Sequence, residues 1–413
     1  MELTYDKLIK FDLIENFQEK LMSEKNFSGF SEFFSIIQEI QSTDQFIKDS
    51  PSYPGSTNKI IRGELISAIG ATLAIEGSTI QREEIEESFR KADLNEKLER
   101  IEQEAENSRK VYQFIIDMCC EKKDNFIYNE QMIKQIHKYF TEDINYLSNR
   151  PGDYRDFIVS FGIPRMDGLC RTRTEIEKAM KNFINWLNSD RNEISIFNDP
   201  QIKAILAHYY LSEIHPFADG NGRTARALEA LILFVNGINN YCFWSLANFW
   251  SLHRNEYLIH LRNIRLTCDP WEFLLWGMKG YLAEIKRVKY LVLKKVKQLM
   301  FMDYIKYLLA NKKTEEVKIN QRIVDILNIL VKSGKIPMDK LNSSPTIKAM
   351  YRNSSPSTKY KDIRKMVKKG LIFLSEEENG KVYIEANLEI LNFVVYIYNP
   401  LNMLTIHGIF TDS

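Results

Sequence analysis

The sequence predicts a mainly α-helical bundle with one short β-hairpin, followed by a small α+β domain near the C-terminus. Three observations predict it. Over most of the first 300 residues, apolar side chains recur at three- and four-residue spacing, the period of an amphipathic helix. Few windows before residue 310 alternate as strands do. Near residue 312 the composition shifts, and three helical patterns are followed by two short β-prone runs. A chain of 413 residues with 44% hydrophobic side chains is long for one domain and can bury an ordinary globular core.

The elements follow in order. An N-terminal helical arm ends in a loop where Pro51, Pro54 and Gly55 stand among serines. Helical patterns then cover Glu64–Glu76, Glu83–Glu121, Thr174–Leu187, Gln201–Ile214, Thr224–Asn236 and Pro270–Met300. Ile158-Val159-Ser160-Phe161, flanked by Gly152-Asp153-Tyr154 and Gly162-Ile163-Pro164, reads as a short hairpin. Gln321–Ser333 is an amphipathic helix ended by Gly334, and a shorter pattern covers Thr346–Tyr351. A third helix takes Ser357 or Thr358 as N-cap and runs to Lys369, closed by Gly370. Leu371–Leu374 and Lys381–Ile384 then flank Glu376–Gly380 as a hairpin, and the whole resembles a winged helix-turn-helix domain. The expected ranges are 1–100 for the N-terminal arm, 101–310 for the main core, 311–400 for the winged-helix-like domain and 401–413 for a tail.

Charge excludes little. The 56 basic and 55 acidic side chains nearly cancel, so net charge points to neither nucleic acid nor membrane. Cys119, Cys120, Cys170, Cys242 and Cys268 are odd in number and lack C-x-x-C spacing, which reads as thiols in a reducing compartment. The start has no basic region followed by an apolar run, and the apolar tract Leu388–Phe410 is interrupted by Glu389, Asn392 and Asn399-Pro400. A cytoplasmic protein without a membrane partner is expected.

The chemistry concentrates between two helices. Pro216 should end the first at about His215, and the next begins near Gly222 or Arg223. Glycines in Ala218-Asp219-Gly220-Asn221-Gly222 let backbone N–H groups converge, and the following helix N-terminus adds orphan donors and partial positive charge. That combination makes an anion site. Arg223 and Arg226 lie in the first turn, where the macrodipole disfavours cations by about 0.3–1 kcal/mol each. Two cations there make sense if they face a polyanion such as a triphosphate.

The whole segment, His215-Pro216-Phe217-Ala218-Asp219-Gly220-Asn221-Gly222-Arg223-Thr224-Ala225-Arg226, resembles the Fic signature HxFx(D/E)GNGRxxR at all eight fixed positions. The resemblance implies a Fic-type helical bundle and a protein adenylyltransferase, moving AMP from ATP with Mg2+ onto a Ser, Thr or Tyr hydroxyl. It makes His215 the general base, a task that suits a neutral imidazole near pH 7. It makes Asp219 the Mg2+ ligand, a hard oxygen for a hard cation. Asn221 and the Gly220 and Gly222 amides would hold phosphate oxygens, with Arg223 on the β-phosphate side and Arg226 on the γ-phosphate. Phe217 would anchor the loop. Doc-type kinases of the same superfamily carry lysine where Gly222 stands, so Gly222 favours adenylyl over phosphoryl transfer.

Further segments extend the likeness. Pro151-Gly152-Asp153-Tyr154-Arg155 resembles the PGxYR run before the family's flap, which implies a flap from about Asp156 to Thr172 that holds the target by strand addition. Asn255-Glu256-Tyr257 matches a downstream segment, and Tyr257 reads either as an adenosine-pocket residue or as a core aromatic. His208 reads as a packed core histidine rather than a metal ligand. Thr72-x-x-x-Glu76-Gly77 resembles the inhibitory motif (S/T)xxxE(G/N), on a helix of about residues 60–77. A glutamate at a helix C-terminus wants a cation, and the likeness assigns Glu76 to Arg226. In some relatives the same glutamate positions a water that removes AMP, which leaves the direction of net catalysis open, and self-modification and a homodimer stand as further partner expectations.

From Lys335 to Lys369 ten Lys or Arg stand against Asp339 and Asp362. Lys359, Lys361, Arg364, Lys365, Lys368 and Lys369 fall on the third helix, so DNA is a second partner class, opposed by a solvated basic face and by Glu376-Glu377-Glu378 in the presumed wing. The alternative function is a nucleotide-sensing DNA-binding regulator.

Overall fold

The computed structural model describes residues 2–11, 13, 27–51, 54–121, 126–145, 148–162, 164–189, 199–238, 246–310, 321–377 and 380–390. The expected tail at 401–413, the domain junction near 312 and most of the tract Leu388–Phe410 lie outside them. Two compact units divide the chain, Met1–Leu291 and Val292–Ser413.

The first unit is helical apart from one hairpin. Its elements are α1 (Tyr5–Leu8), α2 (Phe27–Asp49), α3 (Pro54–Ile75), α4 (Arg82–Asp93), α5 (Arg100–Glu121), α6 (Glu130–Thr141), β1 (Ser160–Phe161) and β2 (Met166–Asp167). There follow α7 (Arg173–Asn188), α8 (Pro200–Ile214), α9 (Asn221–Val235), α10 (Leu246–Leu252), α11 (Arg254–Thr267) and the start of α12 (Trp271–Ala310). Among the described residues no helix is long and apolar enough to cross a membrane.

Burial explains the centre. α8 and α9 are buried over most of their length, including Ile202, Ile205, Leu206 and Tyr209 on one and Leu228, Leu231 and Ile232 on the other. A helix without a solvated face belongs in the middle of a bundle, and each such side chain contributes about 1.5–3 kcal/mol by leaving water. Caps fix where these helices start. Asp199 accepts from Gln201 N with Pro200 at the first position of α8, Asn129 accepts from Met132 N on α6, and Thr172 and Glu175 form a capping box on α7.

Several expectations need correction. The pattern Glu83–Glu121 is two helices, because Asn95 turns left-handed at φ 55° and the Glu96 N–H bonds back to the Lys91 carbonyl. The segment around Pro54 and Gly55 is helical rather than a loop, since proline is at home in a first turn, where its missing N–H costs nothing. α6, α10 and α11 lie outside the helical patterns read from sequence. The hairpin forms as expected but its strands begin only at Ser160, paired Ser160 to Asp167 and Phe161 to Met166. Cys119 and Cys170 are buried and Cys268 is half-buried, none of the three in a disulfide, while Cys242 and the Cys120 side chain lie outside the described residues.

The second unit contains α13 (Gln321–Ser333), β3 (Ile336–Pro337), α14 (Met338–Ser343), α15 (Pro345–Met350), α16 (Pro356–Lys368), β4 (Ile372–Glu376), β5 (Val382–Ala386) and a 3-10 turn at Leu388–Ile390. Its antiparallel sheet has the order β3-β5-β4, over a core of Ile323, Leu327, Leu330, Met366, Leu371 and Ile384. The N-cap position of α16 is Ser355, whose side chain makes no capping bond, with Pro356 at the first position, rather than Ser357 or Thr358. β3 adds a strand to the expected hairpin through Ile336 opposite Ile384.

Candidate active site

α8 stops at Ile214, and His215 follows in the left-handed region at φ 49° with its N–H on the Leu211 carbonyl. The imidazole Nδ1 lies 3.1 Å from the Ser212 carbonyl. A carbonyl only accepts, so Nδ1 carries the proton and the Nε2 lone pair is left over. Burial pushes this histidine down to about 4, so it is neutral at pH 7.

Phe217 and Asn221 lock the loop. The Phe217 N–H donates to Asn221 Oδ1 at 2.9 Å and Asn221 Nδ2 donates to the Phe217 carbonyl at 2.8 Å. Both ends of the Asn221 amide are thus engaged by Phe217, and its backbone N–H is what it offers an anion. Gly220 caps α9 at φ 74°, where a Cβ would sit 3.1 Å from Thr141 Cγ2. Arg223 is buried and lies 3.3 Å from Asp219, whose side chain is 52% exposed. The Nε of Arg223 has no partner among the described residues. First-turn N–H groups of α9 have no carbonyl four residues back, so donors and cations converge beside a carboxylate.

Glu76 reaches the same place from the end of α3. Arg226 Nη2 donates to Glu76 Oε1 at 2.5 Å, and its Nε donates to Thr72 Oγ1 at 2.8 Å. The arginine is 2% exposed and the glutamate 40%. A Cβ on Gly222 would lie 2.6 Å from Glu76 Oε1, so glycine there makes room for the carboxylate. Gly77 ends the segment at φ 94°, and Arg254 Nε donates to the Ile75 carbonyl at 2.7 Å.

Tyr257 is buried and its hydroxyl lies 2.8 Å from His208 Nε2, while His208 Nδ1 lies 2.7 Å from Glu229. His208 is therefore a fully partnered core histidine. Tyr257 touches that core and also lines a cavity of about 190 Å³ with Glu76, Phe161, His215, Gly222 and Arg226.

The hairpin is anchored by Arg155, which has no exposed surface. Its Nε donates to the His215 carbonyl at 2.7 Å, Nη1 to the Phe157 carbonyl at 2.6 Å and Nη2 to the Cys170 carbonyl at 2.7 Å. One guanidinium thus ties both feet of the hairpin to the residue under its tip. Phe161 at that tip stacks on His215, ring centroids 4.0 Å apart and planes 7° from parallel.

His137 is a residue that motif reading does not reach. It stacks on Phe217 at 3.7 Å and 3°, accepts the Gly152 N–H at Nδ1 (3.0 Å) and lies 2.9 Å from the Asp219 carbonyl at Nε2. Burial pushes it down to about 4. Its one signal in the sequence is a titratable residue on the buried face of α6, which is otherwise apolar apart from Thr141.

Among the described residues no three or more His, Cys, Asp or Glu side chains gather as a metal cluster. Magnesium often takes a single carboxylate and completes its shell with water and phosphate oxygens. The half-exposed Asp219, beside the N-terminus of α9, fits that pattern.

Residues 127–233 match the model of the Fic/DOC family. Protein adenylyltransferase fic-1 of Caenorhabditis elegans is 45% identical over 62 residues, 15% of this chain and 12% of that protein. Protein adenylyltransferase Fic of Nematostella vectensis is 49% identical over 63 residues, 15% of this chain and 14% of that protein. The chain spans about an eighth of the length of these relatives. The crystal structure of a Fic family protein from Desulfovibrio desulfuricans G20 is similar in fold, with a TM-score of 0.52 at 17% identity over 86% of this chain and 96% of that one.

Proposed function

We propose that this chain, which carries a Fic/DOC domain at residues 127–233, transfers AMP from ATP to a hydroxyl group of a protein. The observation that carries the reading is His215: a neutral imidazole, proton on Nδ1 and Nε2 spare, lining one cavity with Gly222 and Arg226 of α9. The acceptor oxygen attacks the α-phosphorus while its proton passes to His215 Nε2. The bond from that phosphorus to the α,β-bridging oxygen breaks, and pyrophosphate leaves. Arg223, Arg226 and the backbone N–H groups of Gly220, Asn221 and Gly222 hold the phosphate oxygens, in place before charge develops. Asp219 is the residue that would hold magnesium, which when bound supplies charge neutralisation at the α- and β-phosphates. Tyr257 forms part of the wall against which the nucleoside rests.

Glu76 and Thr72 restrain this activity. While they hold Arg226, the γ-phosphate lacks its cation and ATP binds unproductively. A charge-assisted hydrogen bond of this kind contributes about 1.5–3 kcal/mol, so its removal should raise productive transfer roughly ten- to a hundredfold. The Glu76 carboxylate also supplies an acceptor for a water molecule, which supports removal of AMP as the reverse duty of the same site.

The test compares ATP labelled at the α- and γ-phosphorus, using wild type, His215→Ala and Glu76→Gly. We expect label retained on protein from the α position alone, absent in His215→Ala and strongest in Glu76→Gly, including on the enzyme itself. Retention from the γ position would mean phosphoryl transfer and overturn the reading. Equal labelling by Glu76→Gly and wild type would remove the restraint.

A second reading concerns the other unit. Lys361, Arg364 and Lys368 are exposed on α16, whose one acidic residue, Asp362, is buried against Arg322 and Tyr351. That positive stripe supports duplex DNA as a partner, and a salt-dependent mobility shift with random duplex tests it.

A further inference from the structure

We propose that Phe161, at the tip of the β1–β2 hairpin, is a positioning residue for His215: its ring fixes the imidazole plane so that Nε2 faces the cavity. The inference rests on the reading of His215 as the base.

His215 has few other constraints. Its backbone is set by the left-handed turn and by Arg155 on its carbonyl, but the ring is pinned by one 3.1 Å contact to Ser212. A single such contact leaves the ring free to tilt about it. The parallel Phe161 ring at 4.0 Å removes that freedom from one face. It also excludes water from a group that a proton-transfer step needs neutral.

The tip is built to stay there. Ser160 Oγ donates to Asp167 Oδ1 at 2.7 Å, and the Gly168 N–H donates to the Val159 carbonyl at 2.9 Å. A Cβ placed on Gly168 would lie 3.4 Å from Phe161 Cε1, so the chain after β2 passes in contact range of the ring. Arg265, from α11, serves both strands. Its guanidinium lies 5.8 Å from the Phe161 ring centroid, within cation–π range, and its Nη2 donates to the Asp167 carbonyl. Arg265 is buried with no hydrogen-bond partner for its Nε, and its nearest carboxylate is Glu213, 3.7 Å away. Glu213 stands on α8 two residues before His215, so the clamp is referenced to the helix that carries the base. The charged groups that act on His215 are Arg155, which favours the neutral ring, and Glu76 and Asp219, which oppose it, all smaller than burial.

The experiment uses the whole 413-residue chain with Phe161→Ala, Phe161→Leu and Phe161→Tyr. Phe161 is only partly buried, so its truncation leaves the core intact. The first readout is the pH midpoint of the His215 ring by nitrogen NMR, which needs no turnover. We expect the midpoint to move from about 4 towards the ordinary value near 6.5 in Phe161→Ala, and to return in Phe161→Tyr. The second is transfer by the Glu76→Gly form. Loss of the clamp should lower kcat by roughly a hundredfold with little change in KM for ATP. Phe161→Leu, with bulk but no flat face, should fall between. An unchanged midpoint and kcat, with only the protein substrate's KM raised, would make Phe161 a docking residue and overturn the proposal. A midpoint that moves in a protein that never transfers AMP would uphold the clamp and sink the reading of the enzyme.

Discussion

His137 and His215 border the same loop, the first buried and the second half-buried, and each imidazole lies flat on a phenylalanine, Phe217 for one and Phe161 for the other. Burial pushes both down to about 4. They differ in what their nitrogens do. His137 uses both, taking the Gly152 N–H and reaching the Asp219 carbonyl. His215 uses one, on Ser212, and keeps the other unspent. On the proposed reading, similar surroundings make a brace of one histidine and a base of the other. A neutral buried histidine becomes reactive through an unused lone pair, not through its ionisation alone.

The largest effect should come from removing that lone pair. His215→Ala is expected to lower AMP transfer by roughly a hundred- to ten-thousandfold, the range of a positioned general base. ATP affinity, measured by calorimetry in the Glu76→Gly background, should stay within a few-fold, because the proposed role of His215 is proton transfer rather than phosphate binding. A variant that transferred as fast as its parent would remove the distinction between the two histidines.

Removing the brace should cost stability first. His137→Ala leaves the Gly152 N–H and the Asp219 carbonyl without their partner, and opens a gap beside Phe217. Buried groups left so cost about 1–3 kcal/mol each, and we expect a total near 2–4 kcal/mol, read as a lower urea midpoint. His137→Gln keeps a donor for the Asp219 carbonyl and should recover part of it. If His137→Ala unfolds like wild type, the contacts are incidental.

The comparison also shows what a sequence can display. His215 through Arg226 was legible because its chemistry is contiguous, with each residue's spacing set by one turn between two helices. Glu76 and Arg226 stand 150 residues apart, and no local pattern links them. Only the family likeness joined them before geometry did. His137, Phe161 and Arg265 were illegible for another reason: what they do depends on what lies across a few ångströms of space, and their residue types are ordinary for their elements. The fold follows the same division. The long amphipathic helices and the β4–β5 hairpin were readable from period and glycines. The break at Asn95 was hidden because apolar spacing continues on both sides of it. The two-residue strand β3 exists only through its pairing with Ile384 and Tyr383.

The smallest effect is shared by both histidines and concerns acid. In the unfolded chain each imidazole titrates near 6.5, whereas the folded protein holds each at about 4. Between those values the unfolded state binds more protons, so falling pH favours unfolding. The stability each histidine lends is complete above pH 6.5 and disappears as pH drops through 4; at pH 5.5 about 1–2 kcal/mol per histidine should already be gone. Glu213 and Asp199 run the other way, because burial raises them to about 7 and about 6, so acid protonates them in the folded protein first. The informative quantity is therefore the difference between variants. Urea midpoints at pH 7.5 and 5.5 should separate less for His137→Gln and for His215→Gln than for wild type. Should both variants keep the full wild-type separation, burial is not what holds these rings neutral, and the parallel between them ends at their shape.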